Sequence, residues 1–250
     1  MNTLATTKIA VAVGLSTVLL GCSQNLKEPS QNYQQAVIQA AFPTVKDVSH
    51  TLFALNPENT LLQWNEQADK VLVLTWKSQS AIDQFLLPNS HSSNNPNYPI
   101  WVTLAPQVKH FCQQYLQQQP ERNDQQLALR LKQYLGLDAS WNYDAFVEMY
   151  VAPEDLFRPC VDPQIDDHSC VLASDQMASS VKGIEDYANF YQALYFKSFR
   201  GSGTGVPWTG LGYTYDWGNP ISKQGASEYI LVPGGEYQIN AVIPTGQYCR

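Results

Sequence analysis

Positive charge is scarce in this chain. Its 250 residues hold 15 Lys and Arg against 22 Asp and Glu, a formal charge of −7, with no basic run. That excludes the electrostatic footprint by which proteins hold nucleic acid or bind peripherally to anionic lipid. Histidine is also scarce: His50, His91, His110 and His168 are scattered, and no Cys/His spacing suggests a metal site. No GxSxG, HExxH or Walker pattern occurs, so the commonest serine-hydrolase, zinc-protease and nucleotide-phosphate signatures are missing. GSGTG at 201–205 follows a helical pattern and lacks the Lys-Ser/Thr of a phosphate loop. Nothing in the chain asks for a cofactor. No apolar run approaches the ~18 residues of a membrane span. Charged residues are only 15% of the chain, whereas aromatics reach 12%, so the aromatics build either a core or recognition surfaces.

The N-terminus has a distinct layout. Met1–Thr7 carries no acid, Lys8 supplies one positive charge, and Ile9–Leu20 is apolar apart from Gly14, Ser16 and Thr17. A helix over that apolar stretch covers about 18 Å, too short for a bilayer core of about 30 Å. This is the arrangement of an export signal. It ends in Val18-Leu19-Leu20-Gly21-Cys22, where bulky Leu19 does not fit the small-residue pattern of ordinary signal cleavage. The run instead resembles a bacterial lipobox. That resemblance implies cleavage before Cys22, lipidation of its sulfur, and anchoring by two or more chains on one residue. Ser23, with no Asp beside the cysteine, then favours the outer membrane of a Gram-negative cell, with the protein facing the periplasm. Loss of Lys8 with residues 1–21 would take the formal charge from −7 to −8.

Four cysteines follow: Cys112, Cys160, Cys170 and Cys249. An even number in an exported chain reads as two disulfides with three possible connectivities. The short interval favours Cys160–Cys170, which leaves Cys112 with Cys249.

Residues 22–35 are polar without apolar period and read as a flexible tether, leaving 36–250 as one globular domain. KVLVLTWK at 70–77, Ile100–Leu104 and FVEMYV at 146–151 read as strands. Val108, Phe111, Cys112, Tyr115 and Leu116 share one helical face, as do Leu127, Leu131, Tyr134 and Leu135 before Gly136. Gly183–Phe199 reads as an aromatic helix. Glu228–Val232 and Glu236–Ile243 flank Pro233-Gly234-Gly235, a hairpin signal. The order, roughly ββααβαββ, predicts an α+β fold with a mixed or antiparallel sheet and about three helices.

Three segments could carry chemistry. CVDPQIDDHSC at 160–170 is rich in oxygen ligands but lacks EF-hand spacing, so a stapled acidic loop is the simpler reading. Glu148, Glu154, Asp155 and Asp216 could supply a carboxylate pair for glycan hydrolysis, or they are ordinary caps and solvated groups. PWTGLGYTYDWGNP at 207–220 is the densest aromatic segment. If extended, it puts Tyr213, Tyr215 and Trp217 on one face. With Trp208, Asp216 and Asn219 they form either a stacking surface for a glycan or peptide, or core. Arg158 stands ready to pair with Asp216 or to hold the acidic loop.

Phe146–Cys170 and Pro207–Pro220 also resemble segments of exported bacterial hypothetical proteins, which implies only that both belong to one functional unit. The expectation is a lipid-anchored envelope protein that binds a glycan, a peptide or an envelope protein. A hydrolase and a purely structural lipoprotein are the alternatives, and whether it is an enzyme stays open.

Overall fold

A computed structural model describes residues 29–200 and 205–250; the signal segment, Cys22 and the first tether residues lie outside the described residues. In chain order the elements are α1 (Pro29–Ala40), β1 (Val71–Lys77), α2 (Gln79–Ala81, continued by a π turn Ile82–Leu86), β2 (Ile100–Leu104), α3 (Ala105–Gln118) and α4 (Asp124–Tyr134). They continue with β3 (Ala145–Val151), β4 (Leu156–Phe157), α5 (Tyr187–Arg200), β5 (Tyr213–Tyr215), β6 (Gln224–Leu231), β7 (Gln238–Pro244) and α6 (Thr245–Tyr248). The fold is α+β, and every strand pair is antiparallel.

Strand alternation sets two faces. Val71, Val73, Val147, Met149, Val102 and Tyr229 meet in one cluster. Leu72, Leu74, Trp76 and Phe146 turn to the other face, where α3, α4 and α6 cover them. The helices dock as their spacing requires, with Val108, Cys112, Leu127 and Leu131 fully buried. Asn123 caps α4, its side chain accepting from the Gln126 N–H at 2.9 Å. Gly136 closes it at φ +68°, the left-handed conformation that glycine adopts without a Cβ penalty. Both disulfides expected from the spacing are formed, Cys112–Cys249 and Cys160–Cys170.

Two expectations are corrected. The strand order is β4-β6-β2-β1-β3-β7, with β5 also on β6, so β6 and β7 are not a hairpin. Four antiparallel steps separate them, so they run in the same sense. Pro233-Gly234-Gly235 does make its turn: the Gly235 N–H donates to Val232 O at 2.9 Å and Gly234 sits at φ +72°. The turn steers the chain across the sheet instead of back along it. Residues 232–237 reach about 20 Å at most, so the sheet must curl for them to join strands that far apart in order.

The polar stretch read as tether is helical from Pro29. Tyr33 is 1% exposed, its hydroxyl donating to Gly205 O at 3.1 Å and its ring edge-on to Trp217 at 5.7 Å. Tyr33, Ala36, Val37 and Ala40 are the buried stripe of α1. Short apolar side chains among glutamines hid it. The three helices expected are joined by α1 and by α2 and α6, which at three and four residues are too short to show a period.

Candidate functional site

The fold leaves one seam open in the sheet. β1 pairs with β3 along all seven of its residues, and β2 pairs with β6 from Ile100 to Thr103. Between them β1 and β2 pair only at Val73 with Leu104 and Leu74 with Thr103. Past Leu74 and Thr103 the ladder stops, and a cleft of about 370 Å³ is lined by the residues that follow. The chain from Leu135 to Tyr143, the C-terminal half of α5 and residues 206–208 enclose it. That size falls within the range of small-molecule and side-chain pockets.

The walls are aromatic: Trp76, Trp101, Trp141, Tyr143, Trp208 and Tyr215. Several are held in place. The Trp76 indole donates to Thr245 Oγ1 at 2.8 Å and stacks on Tyr143 and Phe146 at 5.1 and 4.7 Å. The Tyr215 hydroxyl bonds to Gln39 Oε1 at 2.7 Å. Trp208 packs on Tyr191 at 5.1 Å, and its Nε1 is buried without a partner.

One carboxyl lines this cleft, that of Glu228. On β6 it faces the same way as Ala226 and Ile230, opposite Thr103 of β2. The residue is half-buried. Its carboxyl has no hydrogen bond or ion pair among the described residues. Burial alone pushes its pKa up from 4.5 to about 8, because a desolvated carboxyl resists ionisation. Two lysines line the cleft as well. Lys77 is held below the usual ammonium range by burial, and Lys197 donates to Asn97 Oδ1 at 2.9 Å. A larger hollow of about 870 Å³ runs past Phe85 and along residues 88–94, but its lining holds no carboxylate and few aromatics.

The residues singled out in the sequence divide. Trp208 and Tyr215 line the cleft; Tyr213, Asp216, Trp217 and Asn219 do not. Asp216 is 1% exposed and takes a bidentate pair from Arg130, Nη1 at 2.9 Å and Nη2 at 2.6 Å. Its Oδ1 also accepts from the N–H groups of Gly218 and Asn219. Trp217 is buried and donates to Leu137 O at 3.0 Å. The Tyr213 hydroxyl donates to Asp47 O at 2.7 Å, and Asn219 Oδ1 caps the turn to Ile221 and Ser222. Asp216 and Trp217 tie α4 and α1 to this segment, Tyr213 ties it to Asp47, and Asn219 serves only its local turn.

The carboxylates considered for hydrolysis do not converge. Glu148 bonds Asn240 Nδ2 at 3.0 Å, Asp155 pairs with Lys182, and Glu154 is exposed. Glu228 and Glu148 lie on one row of the sheet, separated by Thr103 and Leu74. Three strand spacings put their Cα atoms about 14 Å apart, and Glu148 does not line the cleft.

The acidic loop is a clamp. The buried Arg158 guanidinium pairs with Asp167 and donates to Phe53 O at 3.0 Å and Asp167 O at 2.6 Å. It therefore holds the loop and does not meet Asp216. Asp162 accepts from the Val171 N–H at 2.8 Å, and His168 Nδ1 lies 2.7 Å from Leu52 O. The sulfurs near Asp162 are bonded to each other, so they offer no thiolate to a metal.

Glu228 was legible in principle. In GASEYILV it is an acid at the buried phase of a strand, between Ala226 and Ile230, and that placement is rare unless a partner exists. No protein-family model matches this chain, and no curated protein or solved structure is significantly similar to it.

Proposed function

We propose that the protein is a lipid-anchored component of a bacterial cell envelope, and that it binds a glycan or peptide ligand in the aromatic cleft. Cleavage before Cys22 and lipidation of that residue hold the chain at the membrane. Residues 23–28 link the anchor to a single folded unit that faces the periplasm. The observation that carries the binding reading is the cleft, with stacked aromatic walls around an unpartnered carboxyl. Aromatic faces offer large contact area at low entropic cost and stack on flat or apolar ligand surfaces. The two disulfides fit an oxidising compartment. An enzyme working through paired carboxylates finds less support, because one acid lines the cleft.

Two tests follow. Trp141 is 38% exposed on the cleft wall, so Trp141→Ala removes contact area with little effect on packing. Titration with muropeptides and envelope peptides, read by tryptophan fluorescence, should show at least tenfold weaker binding in that variant and an unchanged melting temperature. Equal affinity would sink the cleft as the binding site. For the anchor, Cys22→Ser should abolish palmitate incorporation and leave a precursor that keeps its signal segment. Full incorporation would defeat the lipobox reading.

A further inference from the structure

Glu228 differs from the other inward-facing acids. Glu148 has Asn240, Asp155 has Lys182, and Asp216 has Arg130. Glu228 has no partner in the described protein, yet it lies on the floor of an open cleft. An unpaired desolvated carboxyl costs free energy that a hydrogen-bonded or charged partner offsets. Here the space for such a partner is the cleft itself.

Aromatic rings share the cleft lining with that carboxyl. Trp141 is the most exposed of the aromatic walls, and the lining also includes Leu74, Leu137, Leu194 and Val206. The suitable group is apolar along its length and charged at its tip. Lysine and arginine side chains have that build, with a methylene stem and a cationic head. Aromatic faces add attraction for the cation through their ring quadrupoles. The chain's formal charge of −7 also favours a basic partner. A sugar amine offers the charge without the stem.

We propose that the cleft takes the basic side chain of a polypeptide, its stem between the aromatic walls and its cation against the Glu228 carboxylate. This rests on the reading of the cleft as a ligand site.

The other ionisable groups lining the cleft are Lys77, Lys197, Tyr143 and Tyr215. Lys197 is held by Asn97, burial disfavours the charged form of Lys77, and burial keeps both tyrosines protonated. None of them is bonded to Glu228, so an arriving cation meets a free carboxyl. Burial favours the protonated form of that carboxyl, and a bound cation favours the ionised one, so binding releases a proton. Affinity should therefore rise between pH 6 and 9, while a lysine probe stays charged throughout.

The test uses full-length protein in detergent micelles and two blocked pentapeptides, acetyl-Gly-Gly-Lys-Gly-Gly-amide and its norleucine analogue. The lysine peptide should bind at least tenfold tighter at pH 8.5, and Glu228→Gln should erase that preference. Folding of the variant has its own check. Between pH 4.5 and 8 the wild-type carboxyl is protonated when folded and ionised when unfolded, so wild-type stability falls as pH rises through that window. Glu228→Gln should then melt at or above the wild-type temperature at pH 9. Equal binding of the two peptides, or a preference that survives Glu228→Gln, overturns the proposal and leaves the cleft reading intact. Glucosamine binding more tightly than the lysine peptide also overturns it. If neither peptide binds, the proposal falls, and the Trp141→Ala titration decides the cleft reading separately.

Discussion

The double variant Cys112→Ala/Cys249→Ala is expected to lose about 5 kcal/mol of stability by the chain-entropy estimate for a loop this long. The bond joins residues 137 apart in sequence and ties the end of the chain to α3. Both cysteines are buried among Val108, Leu131 and Tyr248, so the alanines also remove packing. Without the bond, α6 is held by Thr245, which accepts from the Trp76 indole and donates to Asp144 O, and by Tyr248, whose hydroxyl donates to Ala105 O at 3.0 Å, and a short helix at a terminus frays. Folded proteins hold on the order of 5–15 kcal/mol in total, so the variant should be near its unfolding threshold at 37 °C. Cys160–Cys170 closes a ten-residue interval, worth about 3 kcal/mol by the same estimate. Urea denaturation of both double variants tests the order. A smaller loss for the long-range pair would show that the folded core already restrains the terminus, and that the bond adds little.

Arg158→Met should cost about 3–5 kcal/mol, the range for breaking a buried charge network from one side. Arg158 is 0% exposed and its guanidinium gathers Asp167 with the carbonyls of Phe53 and Asp167. Methionine keeps much of the volume but removes the donor to Asp167 O and one of the two to Phe53 O. Tyr229 contributes to the same knot: its hydroxyl donates to Phe53 O, and its ring lies 5.8 Å from the guanidinium carbon. Thermal melts of Arg158→Met and Asp167→Asn separate the contributions. Asp167 is part-exposed, and its side chain is only one of the guanidinium's partners, so Asp167→Asn should lose far less. Equal losses would place the stability in the ion pair alone.

Much of this architecture is written locally. The strands at 71–77, 100–104 and 145–151 announce themselves by β-branched and aromatic runs. The faces of α3 and α4 follow from side chains at i, i+3, i+4 and i+7, because a helix repeats every 3.6 residues. Residue parity and the short 160–170 interval point to the disulfide pairing. The aromatic segment around Trp217 shows the limit of such reasoning. Its composition suits a binding face and a core equally, and only Arg130, Tyr33 and Gln39, each at least 80 residues away, make most of it core.

The sequence by itself therefore determined β1 to β3, the helices α3 to α5, the buried stripes of α3 and α4, and the cysteine pairs, since each depends on spacing within a few turns of chain or on residue count. Tertiary structure alone decided the strand order that parts β6 from β7, the open seam between β1 and β2, and the isolation of Glu228. Those depend on which distant groups surround a side chain. The raised pKa of the acid at position 228 comes from desolvation as strands from 71–77 and 100–104, the chain at 135–141 and the end of α5 gather around it. Desolvation is a property of that enclosure, and no local period in the chain encodes it.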